Sequence, residues 1–232
     1  MTYASPTLTI LHDKQAVIFD IDGTLVDTRE SHLRAWQQVL EEAGVKAAPG
    51  QLERLFGKHS DEWVRELLPA RHQAEGLKLV RRKNEVFAAH LADLRPFPKA
   101  RELLLCVKAA GKRLAFATGA TRAELRHHLR LLQAEQLADA TAYDREVARG
   151  KPAPDIYALA ARKLAVEPAA AVAVGDSLYD VQAARGAGMA CVALLTGGFS
   201  ARELLASGAA EVYPAVADLH NAFCAQSGRA VS

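Results

Sequence analysis

Ala16-Val17-Ile18-Phe19-Asp20-Ile21-Asp22-Gly23-Thr24-Leu25-Val26-Asp27-Thr28 is the stretch on which the reading of this chain turns. Its uninterrupted apolar start is the pattern of a strand buried on both faces. The run stops at two carboxylates two residues apart, and side chains alternate along an extended backbone, so Asp20 and Asp22 leave the strand on the same side. Two carboxylates that close repel each other, and a hard cation held by oxygen ligands, Mg²⁺, is their natural third party. Gly23 then lets the backbone turn out of the sheet.

Three further apolar runs end in residues suited to phosphate chemistry. Arg113 to Ala117 precedes Thr118-Gly119, a later segment leads to Lys151-Pro152, and Ala171 to Val174 precedes Gly175-Asp176-Ser177-Leu178-Tyr179-Asp180. In open α/β sheets ligands sit beyond the carboxyl ends of the strands, so these endings can converge on one crevice. In order and context they resemble the four motifs of the haloacid dehalogenase-like hydrolase superfamily, over nearly the whole chain. That resemblance implies an α/β fold, a Rossmann-like parallel sheet with the Asp20 strand at its centre and a helical cap inserted after that strand.

The resemblance also implies roles. Asp20 is the expected nucleophile, forming a phosphoaspartyl intermediate. Asp22 is the expected general acid and base. The dehalogenases themselves lack an aspartate two residues after the nucleophile, so Asp22 points to phosphate as the group transferred. Thr118, with the N–H groups of Gly119 and Ala120, is expected to bind phosphoryl oxygens, and Lys151 to neutralise nucleophile and phosphate. Asp20, Asp176, Asp180 and the backbone carbonyl of Asp22 are the expected metal ligands, Asp176 directly and Asp180 through water or as an orienting acid. Asp27 is expected only to brace the loop. His32 has the spacing of a cap-hinge histidine in β-phosphoglucomutase-like members, and Lys58 or His59 is expected to meet the non-phosphate end of the substrate.

With 232 residues, 50% of them hydrophobic, the chain can bury a large core. A net charge of +2 gives no ground for nucleic-acid or anionic-membrane binding, so a small phosphorylated metabolite is the expected partner. Oligomeric state is not legible in the sequence. The three cysteines, Cys106, Cys191 and Cys224, have neither disulfide-framework nor zinc spacing and read as small core residues. No signal-peptide pattern and no apolar run of spanning length is present, so a cytoplasmic location is expected.

Residues 1 to 14 read as a loosely ordered lead-in. Leu33, Trp36, Leu40 and Ala43 form a helical stripe ended by Gly44, and further helices are expected over Gln51 to Phe56, Asp61 to Leu68 and Gln73 to Leu94. Trp36 reads as core. Residues 29–95 are thus the expected cap, and 1–28 with 96–232 the core domain. From 99 onward helices at 99–110, 121–132, 155–164, 180–187 and from 216 alternate with strands at 113–117, 139–143, 171–174, 190–195 and 211–213. His127-His128 and Arg81-Arg82-Lys83 read as solvated helix faces, and Gly197-Gly198-Phe199 as a loop.

The leading expectation is a Mg²⁺-dependent phosphatase of the phosphoglycolate phosphatase and β-phosphoglucomutase branch. A mutase ranks second, because those mutases carry an arginine just after a glycine turn in the cap, where this chain has Gly57-Lys58-His59-Ser60. A phosphoaccepting receiver module also uses an Asp, a Lys and Mg²⁺ at strand ends, but it has neither the cap nor an acid in the position of Asp22.

Overall fold

A computed structural model of the protein describes residues 9–68 and 75–224. The first strand, β1 (Ala16–Phe19), is buried along its whole length. A tight loop leads to β2 (Val26–Asp27), and the chain then leaves through helices α1 (Arg29–Glu42), α2 (Gln51–Leu55), α3 (Ser60–Leu67) and α4 (Gly76–Ala88) before returning at β3 (Arg95–Pro96). β2 and β3 pair antiparallel, Val26 opposite Pro96 and Asp27 opposite Arg95, so the helical insert enters and leaves through one two-stranded ribbon.

Helix and strand alternate thereafter: α5 (Ala100–Ala109), β4 (Arg113–Ala117), α6 (Arg122–Leu131), β5 (Ala140–Ala142), α7 (Asp155–Lys163), β6 (Ala171–Gly175), α8 (Leu178–Gly186), β7 (Ala190–Leu194), α9 (Ala201–Ser207), β8 (Glu211–Tyr213) and α10 (Val216–Cys224). The sheet runs β5-β4-β1-β6-β7-β8 with every pair parallel, a Rossmann-like α/β arrangement. The chain steps from β1 outward through β4 and β5, then crosses back to β6 on the other side of β1. That reversal opens a crevice at the carboxyl ends of the central strands.

The pleat sorts the strand residues into two unlike faces. Val17, Phe19, Leu114, Phe116, Val172 and Val174 pack with Leu103, Leu104, Leu219 and Phe223 of α5 and α10. On the other face Ala16, Ala115, Ala117, Ala171, Ala173 and Ala193 meet Tyr157, Ala160, Ala183 and Ala184 of α7 and α8, and side chains this small let those helices pack close to the sheet. In the cap, the rings of Trp36 (α1) and Trp63 (α3) stack 4.8 Å apart, a pairing worth about 0.5–1.5 kcal/mol beyond burial. Trp36 is core, as expected.

Several expectations are corrected. Residues 1–8 of the expected lead-in lie outside the described residues, but Ile10–Asp13 form a 3₁₀ turn capped by Thr9, with Leu11 fully buried. Gln73 and Ala74, the expected start of the last cap helix, also lie outside; the helix described is α4, followed by a 3₁₀ turn at Leu91–Asp93. Helix α9 was not anticipated, although Ser200 and Glu203 form its capping box. The largest correction concerns the cysteines. Only Cys191 is a free, buried core residue; Cys106 and Cys224 form a disulfide, because α5 and α10 pack side by side and bring their Cα atoms to 6.0 Å. Among the described residues no helix is long and apolar enough to cross a membrane.

Candidate active site

Asp20 continues the line of β1, its N–H donating to the Val174 carbonyl at 2.8 Å. The chain then turns sharply: Gly23 has φ +78° and its N–H donates to the Val26 carbonyl at 2.9 Å. A β-carbon at Gly23 would collide with the Asp176 carboxylate, and one at Gly197 would collide with the same group from the other side, so two glycines make the room in which Asp176 sits.

Four strand-end motifs meet here. Lys151 Nζ lies 2.5 Å from Asp20 Oδ1 and 2.7 Å from Asp180 Oδ1. Thr24 Oγ1 lies 2.9 Å from both Asp20 Oδ2 and Asp176 Oδ1, and its single hydrogen serves one of them at a time. Asp180 Oδ1 accepts from the Tyr157 hydroxyl at 2.8 Å, and its Oδ2 from Ser177 at the start of α8. Ser177 is the helix cap, and Asp180 is its capping-box partner as well as a member of the cluster.

The electrostatics follow from that packing. Burial pushes Asp20 up to about 7, with Lys151 opposing the shift and Asp180 and Asp22 adding to it. Burial, then the charges of Asp180 and Asp20, drives Asp176 well above the usual carboxylate range. Burial works to lower the Lys151 pKa, but Asp180 and Asp20 outweigh it and keep the ammonium charged. Asp20, Asp176 and Asp180 each offer an oxygen within 4.8 Å of the others, and the Lys151 ammonium pairs with two of them, Asp20 and Asp180. Asp176 Oδ2 is buried with no hydrogen-bond partner. Such a donor set fits a hard divalent cation.

Asp22 points elsewhere. Its Oδ2 accepts from Thr118 Oγ1 at 3.1 Å, and its Oδ1 lies 3.3 Å from His32 Nε2 and 3.2 Å from His128 Nε2. The His128 approach is an ion-pair distance without hydrogen-bond alignment. Burial works to raise Asp22, yet the charge of His128, with His32 assisting, holds it well below the usual carboxylate range. Thr118 Oγ1 also accepts from the Ala120 N–H at 3.0 Å, shaping the loop that presents Gly119 and Ala120. The carboxylate of Asp22 is not part of the three-acid cluster, and Asp27 is exposed on the ribbon.

Above these groups lies a cavity of about 800 Å³ between core and cap, lined by Asp20, Asp22, Lys151, Gly119 and Ala120 below and by His32, Lys58, His59, Trp63, Lys83 and Asn84 above. His32 lies flat on Phe87 at 3.8 Å. Lys58 reaches the cavity wall with its ammonium paired to Glu66, and His59 pairs with Asp144. The buried cap cation is Lys83, 5% exposed; among the described residues no carboxylate lies within ion-pair distance of it, and its hydrogen bond is a 3.4 Å contact to Asn84.

Two expectations of solvated helix faces are therefore corrected. His128 is completely buried, because it falls in register with Leu125 and Leu132 on the inner side of α6, and only His127 stays partly exposed. Lys83 is buried because it shares an α4 stripe with Leu79 and Phe87, while Arg82 points outward to Glu42. In both cases the i, i+4 or i, i+7 neighbours carried the signal and the local charge concealed it. Gly197, read as loop, packs against Asp176 and accepts from Arg29 Nε at 3.1 Å.

A buried carboxylate at the end of the central strand of a parallel sheet, with a second acid two residues on and a three-acid cluster beside it, defines the class. Residues 14–188 match the haloacid dehalogenase-like hydrolase family, and the chain belongs to it. The chain is a phosphoric monoester hydrolase. It is 34% identical over 219 residues to protein CbbY of Cereibacter sphaeroides, covering 88% of this chain and 94% of that one. It is 33% identical over 180 residues to the phosphorylated carbohydrates phosphatase of Thermotoga maritima, covering 75% and 82%. The crystal structure of CbbY from Rhodobacter sphaeroides in complex with xylulose-(1,5)bisphosphate superposes with a TM-score of 0.75 at 32% identity, over 89% of this chain and 96% of that one.

Proposed function

We propose that this enzyme is a Mg²⁺-dependent phosphatase that hydrolyses a small phosphorylated sugar or closely related metabolite through a phosphoaspartyl intermediate on Asp20. The observation that carries this is the opposite company of two carboxylates under one cavity: Asp20 among acids and Lys151, Asp22 among Thr118 and two histidines. An Asp20 oxygen attacks phosphorus, the bond to the leaving alkoxide breaks, and Asp22 delivers a proton to that oxygen. Water then attacks the phosphoaspartate, gives its proton to Asp22, and inorganic phosphate leaves with Asp20 restored.

Lys151 stays charged and meets the incoming phosphoryl oxygens, while the N–H of Gly119 binds another and the Ala120 N–H, donated to Thr118, shapes the loop. Asp20, Asp176, Asp180 and the Asp22 backbone carbonyl would hold Mg²⁺, which when bound neutralises phosphoryl charge. In the cap wall of the cavity, the buried Lys83 favours a substrate that carries a second anionic or strongly polar group. The names of the phosphorylated carbohydrates phosphatase and of the CbbY bisphosphate complex support that class.

A panel of sugar monophosphates and bisphosphates, assayed for inorganic phosphate with Mg²⁺ and after EDTA, tests the proposal. Phosphate release that stops with EDTA and returns with Mg²⁺ is expected. Isomerisation of β-glucose 1-phosphate without phosphate release would move the enzyme to the mutases, and full activity after chelation would remove the metal.

A further inference from the structure

We infer that His128 is a positioning residue that holds the Asp22 carboxyl in its working orientation, an inference that rests on the acid–base reading of Asp22. Three groups fix that carboxyl: Thr118 at Oδ2, His32 and His128 at Oδ1. They differ in origin. His32 rides on α1, part of the inserted helices, whereas His128 belongs to α6 and Thr118 to the end of β4, both parts of the sheet domain. His128 is therefore the imidazole that stays with Asp22 whatever the position of the cap.

The side chain is also expensive where it sits. His128 is 0% exposed, and neither ring nitrogen makes an aligned hydrogen bond. Burial works to lower the His128 pKa, but the Asp22 carboxylate outweighs it and leaves it raised, so the imidazole is held by its charge partner and not by packing alone. A residue kept for packing alone would not be a histidine here. Its one polar neighbour within ion-pair distance among the described residues is Asp22.

The test compares His128→Leu, which fills the volume, with His128→Gln, which keeps a side-chain donor. Each is assayed on a sugar phosphate with a primary alkoxide leaving group and on p-nitrophenyl phosphate, whose leaving group needs little protonation. For His128→Leu, kcat on the alkoxide substrate should fall about tenfold or more with KM within about twofold, and single-turnover phosphoenzyme formation from p-nitrophenyl phosphate within about threefold of wild type. Its melting temperature should fall below that of wild type, because Asp22 loses its buried partner, and His128→Gln should recover a clear part of the lost kcat. Equal losses on both substrates, a change confined to KM, or unchanged kcat would each overturn the inference. Asp22→Ala is run alongside. If it shows no dependence on the leaving group, the acid role of Asp22 and this inference fall together; if it does and His128→Leu does not, the inference alone falls.

Discussion

Asp20 and Asp22 stand two residues apart on one loop, and the structure surrounds them in opposite ways. Every group touching Asp20 comes from the sheet domain: Lys151, Thr24 and the other two acids. Burial there is compensated by a single ammonium, so the carboxyl is pushed up to about 7. Asp22 meets no acid; it has a hydroxyl and two imidazoles, one of them from the cap, and is held low. The difference lies in which elements arrive. β1 brings Asp20 and Asp22 to one end of the sheet, and the turn at Gly23 with the incoming β6, α6 and α1 gives each its own chemistry. A site with one carboxyl poorly compensated and the next well compensated leaves the first in need of a cation and frees the second for proton traffic.

That contrast predicts effects of opposite sign on stability. Asp20→Asn should cost the most activity, about a thousandfold or more in kcat with loss of trappable phosphoenzyme, since an amide cannot attack phosphorus. In EDTA it should nevertheless melt higher than wild type. A carboxyl raised from 3.8 to about 7 on folding destabilises the fold above that pH, so the gain should be largest near pH 8 and fade as pH falls toward 4. Mg²⁺ should raise the wild-type melting temperature more than the variant's.

Asp22→Asn should melt lower than wild type. A carboxyl held low contributes stability above its unfolded value and loses it only as pH falls through the folded one. Its kcat on alkyl phosphates should drop about a hundredfold, and less on p-nitrophenyl phosphate. Two neighbours shifting the melting temperature the same way would erase the contrast.

The Asp20 side of the site was far more legible in the sequence than the Asp22 side. Asp20 and Asp176 each stand at the end of an apolar run, as the observed β1 (Ala16–Phe19) and β6 (Ala171–Gly175) show. Strand ends announce themselves because burial on both faces leaves a continuous apolar signature. His128 and Lys83 lie in the middle of helices, where one polar residue inside an apolar stripe looks like its charged neighbours in sequence. Only the register against Leu125 and Leu132, or Leu79 and Phe87, separates them, and that weighs little until the opposing surface is known. The Cys106–Cys224 disulfide spans 118 residues, and no local pattern encodes which helix α10 will lie against.

The smallest effect concerns the seam between cap and core, and it should touch Asp22 while sparing Asp20. His59, at the start of α3, donates its N–H to the Lys151 carbonyl at 3.1 Å and pairs its ring with Asp144, just beyond β5. Asp61 lies 3.6 Å from the other ring nitrogen, and Glu62 adds its charge. Burial works to lower the His59 pKa, but the hydrogen bond and charge of Asp144 outweigh it and leave it raised above 6.5. A base raised on folding stabilises the fold fully below its unfolded pKa, and that stability is lost as pH rises through the folded value. His59→Ala should therefore lower the melting temperature by about 2–4 °C at pH 6, the shift that about 1 kcal/mol produces in a chain of this size, and by less at pH 9. Because His32 comes from the same cap, the variant should raise KM for sugar phosphates and slow their turnover, while single-turnover phosphorylation of Asp20 by p-nitrophenyl phosphate stays near wild type. A deficit equal at both pH values would show that the ring's charge contributes nothing to the seam, and a larger deficit at pH 9 would reverse the assigned direction of its pKa shift.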